Sequence, residues 1–120
     1  MGNPFVHVEL HASDVAKAKR FYGELLSWEL HDMPGDMPYT TISVGEGTGG
    51  GMLTNPAPGA PSHWMPYIQV ANLAASTSRA RKLGAKVVQE KTEVPEMGAF
   101  TIIADPVGAV VGLWEPAAQS

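Results

Sequence analysis

The chain has 120 residues, 44% of them hydrophobic and 17% charged, with a formal net charge of −4 and no cysteine. That length supports one domain with one real core, and that composition is globular rather than disordered. The absence of cysteine excludes disulfides, thiolate nucleophiles, iron-sulfur clusters and thiolate zinc sites, and the negative charge argues against nucleic acid and for neutral or cationic small partners.

No apolar run reaches membrane-spanning length, and the opening MGNPFV lacks the basic region and apolar core of a signal peptide. A soluble cytoplasmic protein with no membrane partner is expected.

Residues 5–11 read FVHVELH. Val6, Val8 and Leu10 alternate with His7, Glu9 and His11, the period-two pattern of a strand with one apolar and one polar face. Ser13 then offers a hydroxyl as a helix cap and Asp14 places negative charge in the first turn. Val15, Ala18, Phe21, Tyr22, Leu25 and Leu26 recur at three- and four-residue spacing, so residues 14–26 are read as an amphipathic helix. A short strand is expected over 28–31, a loop with two prolines and a glycine over 33–38, and a strand over 39–44.

The glycine-rich stretch 45–51 leads into a short strand ending near Leu53. No Lys-Ser/Thr pair follows and no helix starts there, so these glycines are not a phosphate loop; they permit a bulge or a close backbone approach. Residues 54–63 hold three prolines and a glycine and form a semi-rigid linker. Beyond it, 64–70 is read as a strand, 73–83 as a helix closed by Gly84, 85–90 as a strand, 94–98 as a loop and 99–104 as a strand. Asp105-Pro106-Val107-Gly108 fits a type I turn into the final strand, 109–114, and 117–120 is a frayed tail.

Residues 5–28 return in weaker form as 63–86, with Met65, Tyr67 and Gln69 in the places of His7, Glu9 and His11. The order is strand, helix, three strands, twice over. The chain is therefore read as a single α+β domain, 1–120, of two βαβββ modules, about 4–54 and 63–116, joined by the linker 54–63. A helix on one face of each sheet leaves the other face to curve around a cavity.

His7 placed seven before Asp14, the Phe21-Tyr22 pair, Leu25 to Trp28, Leu83-Gly84-Ala85 and Asp105-Pro106-Val107-Gly108 together resemble the vicinal oxygen chelate superfamily. That superfamily includes glyoxalase I, bleomycin-resistance proteins and extradiol dioxygenases, and the resemblance spans Phe5 to Pro116. It implies paired modules forming a cup around a small-molecule ligand, and a homodimer. Strand parity packs Val6, Val8 and Leu10 on the helix and turns His7, Glu9 and His11 inward, with Met65, Tyr67, Gln69, Val110, Gly112 and Trp114 inward in the second module. Met52 is expected to be the inward counterpart in the first.

Metalloenzymes of the superfamily take one ligand from each of four strands, and the matching positions here are His7, Met52, Met65 and Gly112. Only His7 suits a hard divalent ion, because thioether sulfur is soft and glycine has no side chain. No cofactor is expected, the alternative being a divalent metal at His7 with help from Glu9. HVELH itself matches neither the zinc deaminase pattern, which needs Pro-Cys-x-x-Cys, nor the helical zinc pattern.

The leading expectation is a metal-independent protein that binds a small organic ligand, planar or cationic. Tyr67 and Trp114 would stack on it, Met52 and Met65 would adapt to its shape, His7, Glu9, His11 and Gln69 would orient it, and Gly112 is counted among the ligand-binding positions. The alternative is a lyase or isomerase of the glyoxalase type, with or without a divalent metal, in which His7 is the base and Glu9 its orienting partner. A third reading is an interaction or regulatory module whose cup is filled by its own side chains and whose surface exposes a large apolar area.

Overall fold

A computed structural model describes residues 2–35, 38–56 and 59–118. Asp36 and Met37 of the expected loop, Ala57 and Pro58 of the linker, and Gln119 and Ser120 of the tail lie outside the described residues. The elements are β1 (Phe5–Ala12), α1 (Val15–Leu25), β2 (Glu29–Met33), β3 (Tyr39–Ser43), β4 (Gly50–Thr54), β5 (His63–Gln69), α2 (Leu73–Lys82), β6 (Lys86–Val94), β7 (Gly98–Ala104) and β8 (Val110–Pro116). This is an α+β chain in which one strand, one helix and three further strands occur twice. No helix among the described residues is long and apolar enough to cross a membrane.

The chain divides into two compact units, Val6–Met65 and Met1–Phe5 with Pro66–Ser120. In the first unit the strands run in the order β2-β3-β4-β1. β1 and β4 are parallel, while β2-β3 and β3-β4 are antiparallel. The register sets Leu10 beside Met52, and Met52 beside Thr40, so these side chains share one face of the sheet. On that face Leu10, Ala12, Ile42 and Met52 form a buried cluster, packed by Val15, Ala18 and Tyr22 of α1 and by Trp28, Leu30 and Val44. Burying each large side chain of such a cluster stabilises the fold by about 1.5–3 kcal/mol. Tyr22 stacks on Trp28 at 5.5 Å and meets Trp64 edge-on at 5.5 Å, which accounts for the aromatic pair in the helix.

The second unit repeats this plan, with strand order β5-β8-β7-β6, a parallel β5-β8 pair and antiparallel β8-β7 and β7-β6 pairs. Its core is Val70, Leu73, Ala99, Ile103 and Leu113, packed by Ile68, Ala80, Ala85, Val87 and Val111. β6 continues to Val94, past the expected end at residue 90. Its register shifts between Val87 and Gln89 and again between Gln89 and Thr92, irregularities that carry the strand onward without breaking its pairing with β7.

Both helices start on a capping side chain. Asp14 Oδ1 accepts from the Lys17 amide at 3.0 Å, and Asn72 Oδ1 from the Ala75 amide at 3.0 Å. Asp14, not the expected Ser13, is the cap of α1; Ser13 instead donates its amide to Ser62 Oγ at 2.9 Å. α2 ends at Lys82 with Leu83 as its C-cap, and Gly84 follows with a φ of 105°, the left-handed conformation that a glycine takes without strain.

Candidate functional site

The polar side chains of β1 lie on the face opposite the buried cluster. Glu9 is in register with Gly51 of β4, and Gly51 with Thr41 of β3, so Tyr39, two residues before Thr41, shares their face. The Tyr39 side chain lies across β4. A Cβ on Gly51 would overlap its hydroxyl and the adjoining ring atoms, so only glycine at 51 leaves that path open.

Two strands, β1 and β3, thus bring four side chains together across the glycine of β4. The Tyr39 hydroxyl donates to Glu9 Oε2 at 2.8 Å. A hydroxyl has one hydrogen, so His7 Nε2, 2.8 Å from the same oxygen, must be the donor of the other bond. His11 Nε2 donates to the second carboxylate oxygen, Glu9 Oε1, at 2.8 Å. Glu9 accepts at both oxygens, which is what an ionised carboxylate can do. The His11 ring meets His63 edge-on at 4.9 Å, and His63 Nδ1 donates to the Pro61 carbonyl at 2.9 Å.

Burial grades along this chain of bonds. The side chains of His11 and Glu9 are 7% and 12% exposed, that of His7 36%. A largely buried carboxylate thus anchors the network, and an accessible imidazole forms its outer end.

The structure brings together the sequence-predicted residues His7, Glu9 and His11 and adds Tyr39 and Gly51, which the sequence reading did not single out. It removes Met52 from the face they share. Met52 is wholly buried in the cluster with Leu10 and Ile42, because the register of β1 with β4 matches it to Leu10. The residue of β4 matched to Glu9 is Gly51.

The second unit has a comparable arrangement of its own. Tyr67 is in register with Gly112, and a Cβ at Gly112 would overlap the Tyr67 ring. Tyr67 meets Phe100 edge-on at 5.8 Å, and Phe100 is in register with Trp114. Tyr67 and Gln69 alternate with Ile68 on β5, Tyr67 buried and Gln69 partly so; Met65 of the same strand, the last residue of the first unit, is buried. The Gln69 backbone receives the N-terminal residues, its amide donating to the Pro4 carbonyl at 2.9 Å and its carbonyl accepting from Asn3 Nδ2 at 3.0 Å. Phe100 was another residue that sequence reading passed over.

The residues present do not fit a hard divalent ion. In the first unit the N and O donors of the network are His7 Nε2, His11 Nε2, the Glu9 carboxylate and the Tyr39 hydroxyl; His11 Nε2 is committed to Glu9 Oε1, and Gly51 adds none. Both His7 Nε2 and Glu9 Oε2 are already bonded to the Tyr39 hydroxyl. Among the described residues no group of three or more His, Asp or Glu side chains is arranged to hold a metal ion.

Two surface clefts are lined by none of these network residues. One, of about 270 Å³, is bordered by Lys91, Glu93, Glu96 and Glu115; the other runs beside α1, bordered by Lys17, Arg20, Phe21 and Leu25. On the helix side of the first sheet Asp32 accepts from Lys19 Nζ at 2.7 Å and from Thr40 Oγ1 at 2.8 Å. The Lys19 bond first, and then the Thr40 bond, hold its carboxyl below the ordinary range.

A family model described as a glyoxalase-like domain matches residues 7–113. CFP32 of Mycobacterium tuberculosis, which carries a glyoxylase name, is 33% identical over 81 residues, covering 68% of this chain and 31% of its own. The anthracycline biosynthesis protein DnrV of Streptomyces peucetius is 26% identical over 126 residues, covering 88% of this chain and 44% of its own. The chain therefore spans less than half the length of these curated relatives. Among solved structures, methylmalonyl-CoA epimerase from Mycobacterium tuberculosis matches with a TM-score of 0.71 at 20% identity, over 95% of this chain and 88% of that one. The hypothetical protein BH1468 from Bacillus halodurans C-125 matches with a TM-score of 0.74 at 13% identity, over 100% of this chain and 99% of that one. At those identities the two structures speak for the fold alone. The family model, which covers most of the chain, shows that the chain belongs to the glyoxalase-like domain family of the vicinal oxygen chelate superfamily.

Proposed function

We propose that the chain binds a small organic ligand on the face of its first sheet opposite α1, with His7 as the group that meets the ligand, and that binding needs no metal. The observation that carries this reading is the gradient from buried Glu9 to accessible His7. A side chain that merely filled space would not need an imidazole held through a hydroxyl by a buried carboxylate, over a strand that gives up its side chain at Gly51. Such a network holds a ligand-facing group in one orientation. Glu9 already accepts from Tyr39 and His11, so its charge is largely answered from within. The reading therefore covers neutral polar ligands as well as planar or cationic ones.

A thermal-shift screen of planar aromatic, cationic and α-keto compounds tests the proposal. A ligand present at 100 times its dissociation constant should add about 2.7 kcal/mol. The gain should disappear in His7→Ala and persist in Met52→Leu. A gain that survives His7→Ala would contradict the reading.

A second reading is favoured by the continuity of the His7-Tyr39-Glu9 bonds. When His7 takes up a proton at Nδ1, reversing both bonds passes its Nε2 proton through Tyr39 to Glu9, so the three residues can take up a proton from a ligand and return it at one point. Isomerisation of a carbonyl compound through its α-hydrogen would use such a relay, and one structural relative is named for an epimerase. Exchange of that hydrogen for solvent deuterium, followed by proton NMR and lost in both His7→Ala and Glu9→Gln, would establish this reading. Absence of exchange in every ligand that binds would leave binding alone.

A further inference from the structure

We infer that the Tyr39 hydroxyl occupies the place a divalent cation would otherwise take between His7 and Glu9, making Tyr39 a positioning residue that keeps the site metal-free. The inference deepens the proposed function and rests on the same site. Its test uses no organic ligand, so it can fail while ligand binding stands.

His7 Nε2 and Glu9 Oε2 are 3.7 Å apart. Neighbouring ligands of one ion in a tetrahedral shell, with bonds of about 2.1 Å, are about 3.4 Å apart. The two donors are thus already near the spacing of a shared ion. The Tyr39 oxygen lies 2.8 Å from each of them, bridging the pair with one donated and one accepted hydrogen bond. A cation needs the nitrogen lone pair of His7 Nε2, but the donor sequence puts a hydrogen there. Gly51 completes the device. A side chain at that position could supply a third ligand, yet any Cβ there would overlap the hydroxyl, so the hydroxyl and a β4 ligand exclude each other. One residue therefore blocks the cation in two ways, by holding the wrong tautomer of His7 for ligation and by filling the gap.

The test is Zn²⁺ titration of the 15N-labelled full chain, followed at the His7 ring, with exchange of the His7 Nε2 hydrogen as a second readout. In the wild type that hydrogen is protected and His7 responds to Zn²⁺ weakly. Tyr39→Phe removes one oxygen and keeps the ring. It should speed exchange of the Nε2 hydrogen at least tenfold and lower the Zn²⁺ concentration for half-maximal response at His7 at least tenfold. The response should vanish when His7→Asn is added. Gly51→Ala reaches the same end from the other partner, because its Cβ displaces a retained tyrosine hydroxyl, and should change both readouts in the same direction. Zn²⁺ curves that superimpose for wild type and Tyr39→Phe, or unchanged exchange in that variant, would overturn the inference. If Tyr39→Phe does not fold, Gly51→Ala decides by the same two criteria.

Discussion

Gly51 and Tyr39 lie in adjacent antiparallel strands, and a methyl group on Gly51 would overlap the Tyr39 hydroxyl. A similar overlap occurs in the second unit across the parallel β5-β8 pair, where a methyl group on Gly112 would overlap the Tyr67 ring. The outcomes differ. Tyr39 uses the space to connect His7 with Glu9, whereas Tyr67 uses it to pack edge-on against Phe100.

Both glycines are therefore expected to resist substitution, to different degrees. Filling an occupied site costs about 1–3 kcal/mol. Gly51→Ala should fall at the low end, because Tyr39 is only partly buried and can swing outward. Gly112→Ala should fall at the high end, because the Tyr67 ring is 5% exposed and has nowhere to go. Urea unfolding midpoints of the two variants measure the difference. Equal and negligible losses would mean that neither tyrosine depends on its glycine.

Met52→Ala tests which face the methionine serves. Removing a wholly buried methionine should cost about 2–5 kcal/mol and leave ligand binding through His7 unchanged. Weakened binding with little loss of stability would return Met52 to the ligand face.

Asp32 makes stability depend on pH in the acid range. Its folded pKa lies below the ordinary 3.8, held down first by the Lys19 bond and then by that of Thr40. The folded state thus binds the proton less tightly than the unfolded chain. The contribution is fully present above about the unfolded pKa and is lost as pH falls through the folded one. Because the Asp32 side chain is 68% exposed, solvent screens much of the effect. Lys19→Met should raise the Asp32 pKa toward the ordinary value in a carboxyl NMR titration, and no rise would show that the Lys19 bond contributes nothing.

The caps separate two adjacent residues. Asp14→Ala and Asn72→Ala should each destabilise by about 0.5–2 kcal/mol, the usual loss when a capping oxygen is removed. Ser13→Ala should cost less, since its hydroxyl meets Ser62 Oγ at 3.3 Å and its amide bond to Ser62 survives the substitution. Thermal unfolding of the three variants checks the order, and a larger loss at Ser13 would reverse the assignment of the cap.

Much of the fold was legible because its signals are local. Period-two alternation marked β1 and three- and four-residue spacing marked α1, observed at Phe5–Ala12 and Val15–Leu25 against expected spans of 5–11 and 14–26. Alternation with the inward Val110, Gly112 and Trp114 leaves Val111 and Leu113 to the other face of the last strand, and both pack in the core with Leu73 and Ala80 of α2. It failed at β4, because Gly49, Gly50 and Gly51 carry no side chains to show which face is which. The facing of Met52 is decided by register with β1 and β3, which the sequence does not display. Tyr39 was hidden for a related reason. It lies 30 residues from Glu9, and the two meet only once β4 has been placed between their strands with a glycine at the crossing. The preceding glycine run was the available clue, since it marked a close approach without naming what approaches.

Amide and imidazole chemical-shift mapping, with the first compound that raises thermal stability, shows whether a ligand binds at the His7-Tyr39-Glu9 face. The largest shifts are expected at His7, Glu9, Tyr39 and Gly51, with their loss in His7→Ala. Shifts centred instead on the cleft bordered by Lys91, Glu93 and Glu115, or on α1 around Phe21 and Leu25, would contradict binding at that face.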